Sequence, residues 1–497
     1  MPAFDVLIRD VVVITPESDS PARQDIAVTG GRIARLGPGI SAADAVTVVE
    51  GGGRYAFPGV VDAHQHWGIY NPLERDASTE SKACAQGGVT TALSYLRTGQ
   101  YYLNRGGPYR EFMPAALEAA RGRSYVDYAF HVAPMMSSHI AELPELIEEF
   151  GVVSFKIFMF YGGFGLHGAS SSQRDFLMIP DGESYDYAHF EFVMRGIAAA
   201  REKFPSLAAD ISLSLHCETA EIMRAYTEIV QSSGRLQGLE AYSAARPPHS
   251  EGLAVTVASY LAHETRLPSV NLLHLSSAKA MEAALTMAKA FPHIDFRREV
   301  TIGHLLADFH TASGLGGKVN PPLRSAADVE KLWEHLLAGE VDWVVSDHAC
   351  CQDEMKFGNP RDDVFLAKSG FGGTEYLLPG LVTAAARRGL PLRRIAELTA
   401  ANPARRFGLH TKGTIAEGYD ADIALVDPRA TWTVRAQDSY SAQEYTPFEG
   451  FEMTARVTDT FVRGQQVLAG GQVTGRPRGS YLHRPVRRGP ASRLPAR

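Results

Sequence analysis

The sequence predicts an α/β protein built around a (β/α)8 barrel of the TIM type, and three observations lead to this fold class. The chain has 497 residues, enough for one large barrel and a smaller partner domain. From residue 57 to residue 410, short apolar runs alternate with amphipathic stretches, which is typical of parallel strands with helical crossovers. At both ends the pattern changes to short strands broken by Gly and Asp.

Both termini are predicted to form β-structure. Residues 4–16 alternate as a strand does, and DIAVTGGRIARLG carries Gly30-Gly31 as a hairpin signal. Neither end is long enough to bury a good core alone, so the two ends either pack together as one small β-sandwich or remain separate. We assign residues 1–56 and 411–475 to the β-sandwich, 57–410 to the barrel and 476–497 to an Arg/Pro-rich tail.

The tail carries seven arginines and no acidic residue. A flexible, solvated segment is the simpler interpretation, and a segment that grips a neighbouring subunit is the alternative.

Eight apolar runs in the middle region are candidate barrel strands, with helical stretches such as PAALEAARG and AADVEKLWEHLLAG between most of them. In order they are FPGVVDAH, GVTTALSYL, YVDYAFHV, VVSFKIFMF, ISLSLHCE, SVNLLHLS, IDFRREVT and VDWVVSDH.

The composition limits the cellular environment and the classes of binding partner that we expect for this protein. A net charge of −7 indicates neither a nucleic-acid partner nor an anionic membrane surface. Four cysteines without a Cys-X-X-Cys pair do not make a disulfide framework, so a reduced, cytoplasmic protein is expected. The N-terminus lacks the regions of a secretory signal, and no apolar run approaches the roughly 20 residues needed to span a bilayer.

Side chains of metal-ligand type fall at the ends of the candidate strands. His64 and His66 are two residues apart, so both imidazoles face the same side of the first strand. A single histidine at a strand end is usually ordinary packing, but the C-terminal ends of barrel strands converge on one mouth. A lysine inside an apolar strand also needs a partner or a modification. The joint pattern predicts a metal site formed by His64, His66, Lys156, His216, His274 and Asp347.

On these residues the chain resembles the cyclic amidohydrolases of the amidohydrolase superfamily, which include dihydropyrimidinase, hydantoinase, allantoinase and dihydroorotase. The resemblance covers nearly the whole chain and implies a composite β-sandwich from both termini, and a homotetramer or dimer. It rests on PGVVDAHQH, FKIFMFY, LHCE, RPPHSEG, LLHLSSAKAM, NPPLR, SDH, GFGGTEYLLP, NPARRFGL and GTIAEGYDADIALVDP.

The resemblance implies two divalent metal ions, zinc by default although manganese or cobalt would also fit. His64, His66 and Asp347 would bind one ion, His216 and His274 the other, and Lys156 would bridge them as a carboxylated lysine. A metal-bridging hydroxide would then attack the ring carbonyl, with Asp347 passing its proton to the leaving nitrogen. Tyr161 would donate a hydrogen bond to the oxyanion, unless it is simply a packed aromatic.

The substrate expected from these motifs is a hydantoin or dihydropyrimidine ring with an apolar substituent. Dihydroorotases have Arg and allantoinases tend to have Asn where this chain has Gly68, which disfavours both. Lys368-Ser369 replaces the Asn-Gly pair usual in hydantoinases. An allantoinase-like or cyclic imide hydrolase, another hydrolase on this scaffold and a non-catalytic scaffold protein remain alternatives. Candidate pocket residues are Trp67, Tyr70, Phe164 and Phe371 as aromatic walls, Ser276 and Asn320 as polar contacts, and, less firmly, His304 and Arg324.

Overall fold

The strands alternate with helices through the middle of the chain and dominate its two ends. The computed structural model describes residues 2–162 and 172–487. Its strands are β1 (Phe4–Val13), β2 (Ala22–Thr29), β3 (Arg32–Gly37), β4 (Ala45–Glu50), β5 (Tyr55–Pro58), β6 (Val60–Gln65), β7 (Val89–Leu96), β8 (Asp127–Val132), β9 (Ser154–Phe158), β10 (Ser212–His216), β11 (Ser269–Leu272), β12 (Asp295–Thr301), β13 (Trp343–Val345), β14 (Ile423–Asp427), β15 (Trp432–Thr433), β16 (Glu452–Met453), β17 (Arg456–Val462), β18 (Gln465–Ala469) and β19 (Gln472–Val473).

The helices follow the barrel strands and pack around them. Their inner faces bury large side chains against the sheet, such as Phe112, Ile197 and Trp333. They are α1 (Leu73–Gln86), α2 (Tyr109–Ala120), α3 (Ser137–Ala141), α4 (Leu143–Phe150), α5 (Gln173–Leu177), α6 (Tyr187–Lys203), α7 (Ala220–Ser233), α8 (Gly238–Ala245), α9 (Pro248–Glu264), α10 (Ala278–Ala290), α11 (Ile302–Leu306), α12 (Ala326–Leu337), α13 (Asp353–Lys356), α14 (Leu377–Arg388), α15 (Leu392–Ala396) and α16 (Asn402–Arg406).

Strands β6 to β13 form the barrel in sequence order, each parallel to its neighbour. The ring is closed between its first and last strands, where the backbone N–H of His66 donates to the carbonyl of His348 at 2.8 Å. Every one of the eight predicted strands coincides with a barrel strand, because runs buried on both faces must be apolar throughout. The predicted (β/α)8 fold class is therefore confirmed.

The two ends of the chain share one β-rich terminal domain. A nine-stranded sheet has the order β19-β18-β17-β14-β5-β1-β2-β3, with β4 paired to β1. Strands β14 and β5 are antiparallel neighbours and join the C-terminal half of this sheet to the N-terminal half. The alternative that the ends stay separate is therefore excluded.

The first half of the Arg/Pro-rich tail lies against the floor of the barrel. The carbonyl of Ser480 accepts from the N–H of Tyr128 at 3.0 Å, and the N–H of Val486 donates to Gly408 at 2.7 Å. Arg484 is 1% exposed and donates to the carbonyl of Phe130 at the barrel floor. The expected solvated tail is thus corrected as far as residue 487, because backbone hydrogen bonds and the buried Arg484 hold this segment against the barrel. Residues 488–497 lie outside the described residues.

Within the described ranges, no helix combines the length and the apolar character needed to cross a membrane.

Candidate active site

The predicted ligand-type residues meet at the C-terminal ends of the barrel strands. His64 lies on β6, Lys156 within β9, and Asp347 two residues beyond β13. The Nε2 atom of His64 is 2.9 Å from Lys156 Nζ and 3.1 Å from Asp347 Oδ1. His66 Nε2 is 3.3 Å from the same carboxylate oxygen. These atoms come from three separate strands, and only barrel closure brings them together.

The other two histidines complete the group on the far side of His64. His216 ends β10, and His274 follows β11. The His274 ring centroid is 5.3 Å from that of His64 and 4.3 Å from that of His216. His274 Nδ1 is buried and has no hydrogen-bond partner in the described part of the chain, which is unusual for a buried ring nitrogen.

Two of the six residues have a left-handed backbone conformation. His274 has φ 33° and Asp347 has φ 56°. Side chains other than glycine adopt this region at a cost of about 1 kcal/mol or more, and such residues are concentrated at functional sites. The strain turns each side chain inward directly after its strand.

Three buried partners fix the orientation of the imidazoles. His64 Nδ1 donates to Glu299 Oε1 at 2.7 Å, and His216 Nε2 donates to Glu218 Oε2 at 2.6 Å. His66 Nδ1 is hydrogen-bonded to the hydroxyl of Tyr102 at 2.9 Å. For His64 and His216 the second ring nitrogen is therefore left as a lone pair, the form that a metal ligand needs.

Burial dominates the electrostatics of the site. Burial, followed by the charge of Lys156, holds the pKa of His64 and of His66 well below the ordinary histidine value. Burial also lowers the pKa of Lys156 to about 7, although Asp347 and Glu299 oppose the shift. Desolvation raises the pKa of Glu299 to about 8, a shift that a cation bound at His64 would oppose. The site thus presents neutral nitrogen donors close to neutral pH.

This donor set fits a metal ion. The ligand-type atoms of His64, His66 and Asp347 lie within 4.8 Å of one another, and all three residues are buried. Imidazole nitrogens with a carboxylate oxygen suit zinc and related divalent ions. Burial of the Lys156 amine favours its neutral form, the form that can take up CO2.

A small cavity of about 50 Å³ opens beside these residues. Three predicted pocket residues line it, namely Tyr70, Tyr161 and Asn320. The Asn320 carbonyl accepts from the hydroxyl of Tyr242, while its Nδ2 is buried without a hydrogen-bond partner in the described structure. The full lining is His66, Ile69, Tyr70, Lys156, Phe158, Phe160, Tyr161, His216, His274, Val319, Asn320, Asp347, Ala349, Ser369 and Gly370.

Several predicted pocket residues lie elsewhere. Trp67 is 0% exposed and packs in the core against Tyr128, because the chain turns sharply at Gly68 with φ +85°. Phe371 packs against Phe448 instead of the cavity. Phe164 falls outside the described residues.

The polar candidates Ser276 and Arg324 belong to a structural network. Ser276 donates to the carboxylate of Glu251, and Arg324 binds both residues. His304 is occupied by the carbonyl of Pro321 at 3.1 Å. These three side chains anchor the loops around the site and do not line the cavity.

Sequence reasoning missed four residues that contact the predicted site, namely Glu299, Glu218, Tyr102 and Arg97. An acidic residue inside the buried strand IDFRREVT was the available signal for Glu299, and Glu218 stands two residues after His216. Tyr102 and Arg97 lie in the loop after β7, whose path the sequence pattern does not indicate.

Comparisons with known proteins agree over nearly the whole chain. The family model described as "Amidohydrolase family" matches residues 55–467. The allantoinase of Rubrobacter xylanophilus is 32% identical over 98% of this chain and 99% of its own length, and that of Deinococcus radiodurans is 31% identical over 97% and 99%. Among solved structures, a D-hydantoinase (dihydropyrimidinase) from Thermus sp. is 28% identical with a TM-score of 0.80 over 96% of this chain and 99% of that one. The L-hydantoinase (dihydropyrimidinase) from Arthrobacter aurescens is 26% identical with a TM-score of 0.81 over the same shares.

Proposed function

The chain belongs to the amidohydrolase family and is a metal-dependent hydrolase of cyclic amides, and we propose that the ring it opens is a hydantoin, allantoin included. Allantoin is a hydantoin that carries a ureido group at C5, so the allantoinase relatives and the hydantoinase neighbours share one type of ring, although those neighbours are also titled dihydropyrimidinase. The observation that carries the proposal is that His64 Nε2 lies 2.9 Å from Lys156 Nζ and 3.1 Å from Asp347 Oδ1, beside a cavity.

We propose that the site holds two divalent ions, with zinc as the first choice. His64, His66 and Asp347 would hold one ion. His216 and His274 would hold the other, and the observation that supports this second site is the buried Nδ1 of His274, which has no hydrogen-bond partner among the described residues. Lys156 would bridge them as a carbamate, because an ammonium cannot act as a ligand. Ions held in this way supply an acidified water nucleophile and a Lewis acid for the carbonyl.

The chain's own groups then handle the proton and the ring. In our proposal an oxygen of the Asp347 carboxylate takes the proton from the nucleophile and passes it to the leaving amide nitrogen. Tyr161 keeps its proton because burial raises the pKa of its hydroxyl, so it can donate to the oxygen of the attacked carbonyl. Asn320 Nδ2 would donate to a second carbonyl of the ring.

The absence of Asn at position 68 no longer counts against allantoin. Gly68 has φ +85°, and a Cβ there would lie 3.1 Å from Leu73 Cβ. Its N–H donates to Asp76 at 2.7 Å. This glycine is therefore required by the backbone turn, and its identity says little about the substrate. An allantoinase activity is consequently supported as well as a hydantoinase activity.

The test is an assay of metal-quantified protein against allantoin, hydantoin, 5-phenylhydantoin, dihydrouracil, dihydroorotate and succinimide. We expect two metal ions per chain and fastest turnover of a hydantoin-type ring. Preference for dihydrouracil or succinimide would move the substrate to a dihydropyrimidine or a cyclic imide. Turnover of none of the rings would reject the proposed substrate class, and metal-free protein that does not reconstitute would indicate a scaffold role.

A further inference from the structure

Arg97 is a buried cation directly behind the candidate active site. It follows β7 immediately and is only 1% exposed. Three aromatic rings enclose its guanidinium, with the carbon atom Cζ at 4.6 Å from the centroid of Phe176, 5.1 Å from that of Tyr161 and 5.5 Å from that of Tyr102. Two of these rings belong to the site, since Tyr161 lines the cavity and Tyr102 binds His66.

Among the residues that the structure describes, no carboxylate forms an ion pair with Arg97. One nitrogen, Nη1, donates to the carbonyl of Thr98 at 3.0 Å, and Nη2 is buried without a hydrogen-bond partner in the described chain. The aromatic faces stabilise a cation, but they do not replace a carboxylate. A buried guanidinium in this state is costly to keep, so packing alone gives no reason for an arginine here.

The remaining nitrogen of Arg97, Nε, contacts Tyr161, which lines the cavity. Nε of Arg97 donates to the hydroxyl oxygen of Tyr161 over 3.4 Å, a long hydrogen bond of the kind that tightens when negative charge develops nearby. Because a phenol has one proton, accepting from Arg97 turns the O–H of Tyr161 away from the guanidinium. The adjacent cation also makes that O–H a stronger donor, opposing the burial that raises the pKa of Tyr161.

We infer that Arg97 is a positioning residue for ring opening: it fixes the hydroxyl direction of Tyr161 and strengthens the hydrogen bond that Tyr161 donates to the developing oxyanion. This inference rests on the proposed function, in which Tyr161 contacts the attacked carbonyl. The loop that carries Arg97 also holds Tyr101, Tyr102 and Asn104 with φ of 71°, 56° and 49°. Such a run of left-handed residues shows that the loop path is tightly imposed at this wall of the site.

The experiment is a double-mutant cycle with Arg97→Met and Tyr161→Phe, measured on the ring that the wild type opens fastest. Arg97→Met should lower kcat by about 10-fold to 100-fold with little change in KM, as expected for loss of a charge-assisted hydrogen bond that acts in the transition state. In the Tyr161→Phe background the same change should alter kcat less than about 2-fold. Arg97→Lys keeps the cation and a donor, so it should recover part of the lost kcat.

Matched controls separate this role from folding. Arg456 also stacks on an aromatic ring, at 4.9 Å from the Trp432 centroid, but it lies in the terminal sheet, so Arg456→Met should leave kcat unchanged. Metal content and melting temperature are recorded for each variant. If Arg97→Met does not fold, the same cycle is run with Arg97→Gln, which removes the charge but keeps a polar side chain.

An equal loss in both backgrounds would overturn the role of Arg97 and leave the proposed ring opening intact. A loss confined to KM would overturn it as well. Wild-type protein that opens none of the rings would instead remove the proposed function, and this inference with it.

Discussion

At the scale of single residues, Lys156 is the side chain whose chemistry depends most on its surroundings. It is buried among His64, Tyr95 and Phe158, with its ammonium nitrogen 3.9 Å from the Tyr95 ring centroid. If its carbamate bridges two ions, Lys156→Ala should lose bound metal and reduce turnover by at least about 10³-fold, because nucleophile and Lewis acid disappear together. Metal analysis and the ring-opening assay measure this, and added formate should restore part of the activity.

The matched control keeps the positive charge. Lys156→Arg retains a cation but has no amine that can take up CO2, so it should behave like the alanine variant. Full metal content and normal turnover in either variant would contradict a bridging role for Lys156.

The lowered pKa of Lys156 predicts how metal-free protein regains activity. Only the neutral amine reacts with CO2, and burial lowers the pKa of Lys156 to about 7. Burial also holds the pKa of His64, His66 and His274 well below 6.5, which favours the neutral form of these three proposed ligands. Reconstitution with zinc should therefore become faster as pH rises from 6 to 8.

The rate is followed as recovered turnover against time at a fixed partial pressure of CO2, so that only the amine changes its state. A rate that does not change with pH, or that falls as the pH rises, would mean that deprotonation of Lys156 does not limit assembly of the site.

At the scale of elements, helix α1 anchors both loops that close the barrel. Its Glu80 accepts from His348 Nε2 at 2.7 Å and from Ser441 Oγ at 2.6 Å. Its Asp76 accepts from the N–H of Gly68 at 2.7 Å. The helix therefore holds the segments that follow His66 and Asp347, although neither acid belongs to the proposed ligand set.

Loss of the Glu80 charge should destabilise the fold in a pH-dependent way. Burial opposes both charges, yet the hydrogen bond between them raises the pKa of His348 above 6.5 and lowers that of Glu80 below 4.5. The histidine's contribution is complete below pH 6.5 and is lost as pH rises through its folded pKa. The carboxylate's contribution is complete above pH 4.5 and is lost as pH falls through its folded pKa.

Between these limits Glu80→Gln should cost about 3 kcal/mol, as for a buried pair that loses one partner. Melting temperatures of wild type and variant at pH 6 and pH 9 measure the effect, and the difference should be larger at pH 6. Arg195→Met, which breaks an exposed helical ion pair with Glu191, serves as the control and should hardly change the melting temperature at either pH. Equal deficits at pH 6 and pH 9 would show that His348 does not carry the charge.

The elements themselves were predictable, whereas their loops were not. Strands buried on both faces leave an apolar run in the sequence, and so all eight barrel strands could be found. Ligand-type residues at strand ends could be grouped because the topology brings those ends together. Trp67 illustrates the limit: two residues after His66 the chain turns at Gly68, and this turn, which depends on tertiary contacts, places the indole in the core. Glu299 and Tyr102, the hydrogen-bond partners of His64 and His66, come from distant segments of the chain. No local sequence pattern predicts such contacts.

At the scale of the whole molecule, the C-terminal segment joins the terminal domain to the barrel floor. Residues that follow β19 run beneath the barrel, where Ser480, Leu482 and Val486 form backbone hydrogen bonds with the barrel region. Arg484 donates to the carbonyl of Phe130 at 2.6 Å and to Ser154 Oγ at 2.8 Å. Ser154 lies two residues before Lys156 on β9, so this segment supports the strand that carries the proposed metal bridge.

Removal of the segment should therefore affect both stability and metal retention. A chain that ends at Gly475 leaves the strand carbonyls and the Ser154 hydroxyl without these partners, and its melting temperature should fall by about 5 °C or more. A chain that ends at Arg487 keeps every described contact and should melt as the full-length protein does.

Arg484→Met should reproduce part of the loss, because it leaves buried acceptors unsatisfied. If the chain ending at Gly475 melts normally but releases its metal faster, the floor contacts hold β9 in place for the site and not for the fold. If neither the melting temperature nor the metal retention changes, the segment contributes nothing to the stability of the barrel or of the site.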